Sequence, residues 1–296
     1  MTHVATLISS PTAPALTDKL AEAARDRLSG TTIDWLATGV AADVRFAADL
    51  GHEKAIAEDL RIALGAPIDV VVQKADGRAK GLLVADMDST MIGQECIDEL
   101  AAELGLKERI AAITERAMRG EIEFESALRE RVGLLKGLPA NVVSKVIAER
   151  IRLTPGAIEL VRTMRANGAY AALVSGGFTV FTGPISQTIG FHEHRSNTLI
   201  EKDGKLTGEV GEPILGQEAK LASLRELSTT KKVPQALTLA VGDGANDLAM
   251  IREAGLGVAF HAKPKVAAEA HARIDHGDLT ALLYIQGYRR SEFVSR

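Results

Sequence analysis

The chain has one cysteine, Cys96. That excludes an intrachain disulfide and fits a reducing compartment. A lone thiol reads as a small buried hydrophobe, with use as a nucleophile as the alternative. An excess of positive charge is also missing: Lys and Arg total 35 against 39 Asp and Glu, a net −4. No global basic field recommends nucleic acid as a partner. No apolar run approaches the ~20 residues of a membrane span. The opening residues lack a basic segment followed by a long apolar core, so no secretory signal is expected. No internal repeat or low-complexity tract stands out. A cytoplasmic protein without membrane or nucleic-acid partners is the expectation. The 296 residues allow one large domain or two smaller ones.

What is present centres on residues 82–90, Leu-Leu-Val-Ala-Asp-Met-Asp-Ser-Thr. The apolar run is too short for a helix and suits a strand buried on both faces. It ends in Asp86 and Asp88. Like charges this close cannot both stay ionised cheaply, and a divalent cation on oxygen ligands is the simplest remedy. The carboxyl end of such a strand is where open α/β sheets place their ligands.

Before this stretch, residues 1–72 alternate as β-α-β-β-α-β, with strands at 3–8, 33–36, 44–47 and 68–72 and helices at 14–28 and 53–64. That order suggests a small ferredoxin-like α+β domain. Packing or dimerisation is one role for it, giving a homodimer through this domain. Amino-acid sensing of the ACT kind is another, because the architecture alone does not choose. The polar, glycine-bearing stretch 73–81 reads as a linker. After Asp88 come some sixty residues of helical pattern, a cap at about 92–150. From Thr154 helix and strand alternate, which argues a doubly wound, mostly parallel sheet over 82–296.

Two later strand ends carry chemistry. The strand 170–174 runs into Ser175-Gly176-Gly177, an ordinary turn or an anion site made of a hydroxyl and backbone N–H groups. The strand 237–241 runs into Gly242-Asp243-Gly244-Ala245-Asn246-Asp247, with two more carboxylates and an amide. Paired acids at two strand ends favour metal binding over a purely structural turn. Lys220, on a helix over 217–227, is on its own an unremarkable surface lysine.

Taken together, Asp86-Met87-Asp88, Ser175, Lys220 and Gly242-Asp243-Gly244-Ala245-Asn246-Asp247 resemble the haloacid dehalogenase superfamily of phosphotransferases. Residues 86–95 resemble the opening of phosphoserine phosphatases. So does 114–138, with Ala117-Met118, Gly120, Phe124 and Arg129-Glu130-Arg131-Val132. The resemblance runs from about 82 to 285 and leaves the first 80 residues uncovered. It implies hydrolysis of O-phospho-L-serine through an aspartyl-phosphate, as in the last step of serine biosynthesis. Asp86 would be nucleophile and Asp88 general acid and base. One Mg²⁺ would sit on Asp86, the Asp88 backbone carbonyl and Asp243. Ser175, Gly176 and Lys220 would hold phosphoryl oxygens, with Asn246 and Asp247 on substrate or supporting groups. Met118 and Phe124 would form an apolar wall that excludes water.

The cap also reads without the family. Phe124, Leu128, Arg131 and Leu135 share one helical face. A charge in that stripe must be paired or face a ligand. Arg131 suits a substrate carboxylate, or a structural salt bridge to Glu95 or Glu103. Glu95 either favours the helix dipole or holds an ammonium group. Two other functions compete: a phosphatase or phosphotransferase for another small phosphomonoester, and a serine-sensing regulator acting through the N-terminal domain.

Overall fold

The computed structural model describes residues 2–49, 51–118 and 121–295, without the side chain of Met118. Gly120 lies outside the described residues.

Alternating apolar residues build the first sheet. Its elements are β1 (His3–Ser9), α1 (Asp18–Arg27), β2 (Thr32–Ala37), β3 (Ala41–Phe46), α2 (Glu53–Leu64) and β4 (Ile68–Lys74). The strands are antiparallel in the order β2-β3-β1-β4. Ala5, Leu7, Val44, Val70 and Val72 pack beneath Ala21 and Ala24 of α1 and Leu60 of α2. The other face sends Ile8, Leu36, Ala41 and Val71 into the main core. α1 starts at Asp18 rather than Pro14 because Thr17 takes the N-cap, accepting the Leu20 N–H at 3.3 Å.

The second sheet begins with β5 (Leu82–Ala85), after which four helices form the cap: α3 (Cys96–Glu103), α4 (Lys107–Met118), α5 (Phe124–Gly133) and α6 (Val142–Glu149). The chain returns through α7 (Ala157–Ala166), β6 (Tyr170–Phe178), α8 (Thr179–Ile189) and β7 (Glu193–Asn197). A hairpin of β8 (Leu199–Lys202) and β9 (Lys205–Val210) leads to α9 (Gln217–Thr230). Then come β10 (Thr238–Gly242), α10 (Leu248–Glu253), β11 (Leu256–Phe260), α11 (Pro264–Glu269), β12 (Ala272–Ile274) and α12 (Ala281–Ile285). Six parallel strands are ordered β12-β11-β10-β5-β6-β7. This is the mostly parallel α/β sheet expected. Leu82 and Val84 face Leu224 and Leu227 on one side, while Leu83 and Ala85 join Leu173 and Val241 on the other. Each such fully buried leucine or valine contributes roughly 1.5–3 kcal/mol.

Two local readings change. β6 does not end at Val174: it continues through Ser175-Gly176-Gly177 to Phe178, with an irregularity where it pairs with β7. β7, with the polar sequence Glu-His-Arg-Ser-Asn, lies at the sheet edge and carries no apolar alternation to announce it.

The stretch read as a linker is tied down. Arg78, 8% exposed, donates to Asp43 Oδ2 at 2.6 Å, Thr6 Oγ1 at 3.1 Å, Ile285 O at 3.0 Å and Tyr284 O at 3.1 Å. Asp69 on β4 accepts the backbone N–H groups of Asp275 and Gly277, both at 2.7 Å. Buried polar groups need such partners, and these bonds join the two sheets. No helix among the described residues is long and apolar enough to cross a membrane.

Candidate active site

β5 lies between β10 and β6, so the strand order reverses there and leaves a crevice at the carboxyl ends. Asp86 follows β5 directly, its N–H donating to Val241 O at 3.0 Å. Its Oδ1 accepts the Met87 N–H at 2.8 Å and lies 2.7 Å from Lys220 Nζ. Lys220, only 1% exposed, also reaches Asp247 Oδ1 at 2.7 Å. Asp247 closes against the end of β10 because Gly242 has no side chain: a Cβ there would lie 2.3 Å from Asp247 Cγ. The Gly244 N–H donates to Asp247 Oδ2 at 3.1 Å.

Carboxylate oxygens of Asp86, Asp243 and Asp247 all lie within 4.8 Å of one another. One buried ammonium thus faces three carboxylates. Burial, then the charge of Asp86, pushes Asp243 up to about 6 and Asp247 up to about 7. Burial lowers the Lys220 pKa, but Asp247 and Asp86 outweigh it and the pKa rises. Three hard oxygen donors with surplus negative charge fit a divalent cation such as Mg²⁺, so this group could hold a metal ion.

The Asp88 carboxylate stands outside that trio. One wide turn over Met87–Met91, with Ser89 at φ 54°, swings it away. Its Oδ1 accepts the Cys96 N–H at 3.1 Å, and its Oδ2 would lie 3.0 Å from a Cβ placed on Gly177. Burial first, then the charges of Glu95 and Asp86, pushes the Asp88 carboxyl up to about 8. It therefore holds its proton at neutral pH. Asp247, read from sequence as a substrate or supporting group, is the carboxylate that completes the trio.

Ser175 is buried, and its Oγ accepts the Gly177 N–H at 2.9 Å. That leaves its hydroxyl hydrogen to donate elsewhere. Asn246 is half-buried and folds over Gly244, where a Cβ would lie 2.3 Å from its Oδ1. Asn197 escaped the sequence reading. It is 1% exposed and its Nδ2 donates to Gly176 O at 2.8 Å and Leu215 O at 3.1 Å. Its Oδ1 accepts the Leu215 N–H at 2.6 Å. Asn197 thereby fixes the glycine turn against the approach to α9 and Lys220. A single asparagine ending a polar strand gives no pattern by which to find it.

Over this crevice lies the cap. Phe124, 36% exposed, leaves the stripe of buried Leu128 and Leu135 and crosses to the core. Cβ atoms placed on Gly176 and Gly216 would lie 3.4 Å and 3.3 Å from its ring. Arg129 pairs with Glu212 across the same seam. Arg131 donates through Nε to Ala127 O at 3.2 Å and through Nη1 to Thr114 Oγ1 at 3.4 Å. The two acids offered as its structural partners are engaged elsewhere. Glu103 pairs with Lys145 and Arg150, and Glu95 accepts from Ser89 Oγ at 2.7 Å. Asp98, Glu95 and Asp88 nonetheless exert their charge on Arg131. The Met118 side chain lies outside the described residues. The Cys96 thiol is buried and its pKa is pushed up by burial and by Asp88, which makes it a packing group rather than a nucleophile.

Residues 83–252 match the haloacid dehalogenase-like hydrolase family. The phosphoserine phosphatase of Streptomyces coelicolor is 46% identical over 230 residues, covering 78% of this chain and 56% of that protein. This chain therefore spans little more than half the length of that relative. The phosphoserine phosphatase of Haemophilus influenzae is 44% identical over 220 residues, 73% of this chain and 70% of that one. Among solved structures, the unliganded probable phosphoserine phosphatase of Vibrio cholerae superposes with a TM-score of 0.78 at 35% identity. That likeness covers 97% of this chain and 86% of the other.

Proposed function

This chain belongs to the haloacid dehalogenase-like hydrolase family, and on that premise we propose that it hydrolyses O-phospho-L-serine to L-serine and phosphate, as in the last step of serine biosynthesis. The observation that carries this is one buried lysine holding two carboxylates beside a third, with an arginine above them that no carboxylate pairs among the described residues.

Asp86, whose Oδ1 lies 2.7 Å from Lys220 Nζ, attacks phosphorus in line and takes the phosphoryl group as an aspartyl-phosphate. Asp88, protonated at neutral pH, gives its proton to the departing serine oxygen. The resulting carboxylate then takes a proton from the water that cleaves the acyl phosphate and frees Asp86. Ser175 Oγ–H, the Gly176 N–H and Lys220 bind the phosphoryl oxygens. Asp86, Asp243, Asp247 and the Asp88 backbone carbonyl are the oxygens that would hold Mg²⁺. When bound, that ion neutralises phosphoryl charge. Arg131 binds the substrate carboxylate and Glu95 its ammonium, while Phe124 and Met118 close the wall. Asn246 supports the phosphate side.

We take residues 82–296 as the catalytic unit, with the cap at about 92–150, and 1–72 as a unit outside the chemistry. Its edge strand β2, which pairs with β3 alone among the described strands, is our candidate contact for a homodimer, which light scattering of the purified chain would test. A cytoplasmic location fits the single cysteine. Substrate choice is tested with Arg131→Ala, comparing phosphoserine with phosphoethanolamine. KM should rise about 10–100-fold for phosphoserine alone, the scale of a lost charge-assisted fork. Equal effects on both substrates would remove head-group recognition.

A further inference from the structure

Strand β6 carries three residues, Ser175, Gly176 and Gly177, where its neighbour β7 carries only Ser196. The register runs Val174 opposite Arg195, then Phe178 opposite Asn197. Extra residues in one strand interrupt the ladder and re-aim the chain, and the freed backbone groups need other partners. Asn197 supplies one from its side chain. Its Nδ2 donates to Gly176 O at 2.8 Å and to Leu215 O at 3.1 Å, and its Oδ1 accepts the Leu215 N–H at 2.6 Å. Two carbonyls at one end and an N–H at the other fix which way the amide points. The side chain is buried, so water does not compete for these bonds.

The bond to Gly176 O bears on Ser175 through one rigid group. The Gly176 carbonyl and the Gly177 N–H belong to the same planar peptide unit, so neither turns without the other. At the far end of that plane the Gly177 N–H donates to Ser175 Oγ at 2.9 Å. Holding the carbonyl therefore holds the N–H on the serine oxygen. With that oxygen engaged as an acceptor, the hydroxyl hydrogen is directed elsewhere. Glycine flanks the plane on both sides and resists its rotation least, so the restraint has to come from outside the turn.

We propose that Asn197 is a positioning residue for phosphoryl transfer: by holding the Gly176–Gly177 peptide plane it keeps the Ser175 hydroxyl aimed at the phosphoryl oxygens. This rests on the role of Ser175 proposed above and extends it to a residue on the neighbouring strand. The same amide also holds Leu215, next to Gly216 at the start of α9, which carries Lys220. An effect on the rate could therefore run through the serine or through the lysine, and the peptide plane assigns it to the serine.

A double-mutant cycle of Asn197→Ala and Ser175→Ala on the full chain separates the two routes, with kcat and the thermal midpoint measured for each variant. Ser175→Ala should lower kcat about 10²-fold by deleting a phosphoryl donor. Asn197→Ala should lower it about 10–100-fold by misplacing that donor. The factors should not multiply: without Ser175, the loss of Asn197 should cost less than about 3-fold. Each single factor should be the same on phosphoserine and phosphoethanolamine, because the phosphoryl group is common to both. Where the alanine variant does not fold, Asn197→Ser takes its place, since it leaves room for water beside Leu215 while its hydroxyl is too short to hold Gly176 O. A kcat near wild type in a folded Asn197 variant overturns the proposal, even with a lowered midpoint. So does an equal factor with and without Ser175, which would place the effect at Leu215 and Lys220. Both results leave the role of Ser175 standing, whereas an unchanged kcat in Ser175→Ala removes that role and this proposal together.

Discussion

Two buried ion clusters divide the labour in this molecule. Between the sheets, Arg78 meets one carboxylate, Asp43, and spends its remaining donors on Thr6 and two backbone carbonyls. Around Lys220, one ammonium meets two carboxylates, Asp86 and Asp247, with Asp243 beside them, and two of the three have raised pKa values. The first cluster is balanced in charge and complete in its hydrogen bonds, which is what a structural tie requires. The second carries surplus negative charge in a crevice open to ligand. Compensation there must come from outside the chain, and that is the physical basis for placing a cation and a phosphate there.

Substitutions should separate the two clusters. The largest effect is expected from Asp86→Asn, which should lower kcat by at least about 10⁴-fold while the thermal midpoint stays close to wild type. More than a trace of residual turnover in a folded variant would exclude Asp86 as nucleophile. Lys220→Met should cost about 10²–10³-fold in kcat if Lys220 is the proposed donor to the phosphoryl oxygens, since it also removes the partner of Asp86. A kcat near wild type would show that the carboxylates need no lysine. Arg78→Met should do the reverse. It leaves Asp43 buried and unpaired, so chemical denaturation should report a loss of about 3–5 kcal/mol, with kcat near wild type. A catalytic defect without loss of stability would break the distinction between the clusters.

The smallest effect concerns pH. His192 and His271 each accept a backbone N–H through Nδ1, from Ala171 at 3.1 Å and Gly257 at 2.9 Å. Protonation abolishes that acceptor, and burial followed by Arg165 or Lys54 holds each pKa below 6.5. The stability they contribute is full above the unfolded value near 6.5 and is lost as pH falls through the lower folded values. Both rings keep an exposed edge, so the loss should be modest. Thermal midpoints between pH 7 and 5 should fall less for His271→Gln than for the wild type. Identical slopes would assign the loss to other groups.

The contrast also explains what was legible in the sequence. Residues 82–85 announce a strand because burial on both faces demands an unbroken apolar run. Asp86 and Asp243 could be drawn together because parallel order places successive strand ends on one edge, whereas Lys220, on a helix, joins them only through the family resemblance. What stayed hidden depends on tertiary detail. Arg78 sits in a polar, glycine-bearing stretch that reads as tether, yet its guanidinium finds buried acceptors in both units. β7 is a strand without alternation, held by pairing with β6 rather than by burial of one face. The place of Asp247 in the trio depends on a missing side chain at Gly242, a contact that no spacing rule encodes. Phe124 shares a helical face with Leu128 yet packs across to Gly176 and Gly216, because it opens α5 where the cap meets the core.

The most direct measurement is phosphate release from O-phospho-L-serine by one preparation of the full chain, with Mg²⁺, after EDTA, and after Mg²⁺ is restored. Three clustered carboxylates with one lysine on two of them predict turnover with the ion, background release without it and recovery on its return. Release at the same rate in EDTA would contradict a cation-dependent centre at Asp86.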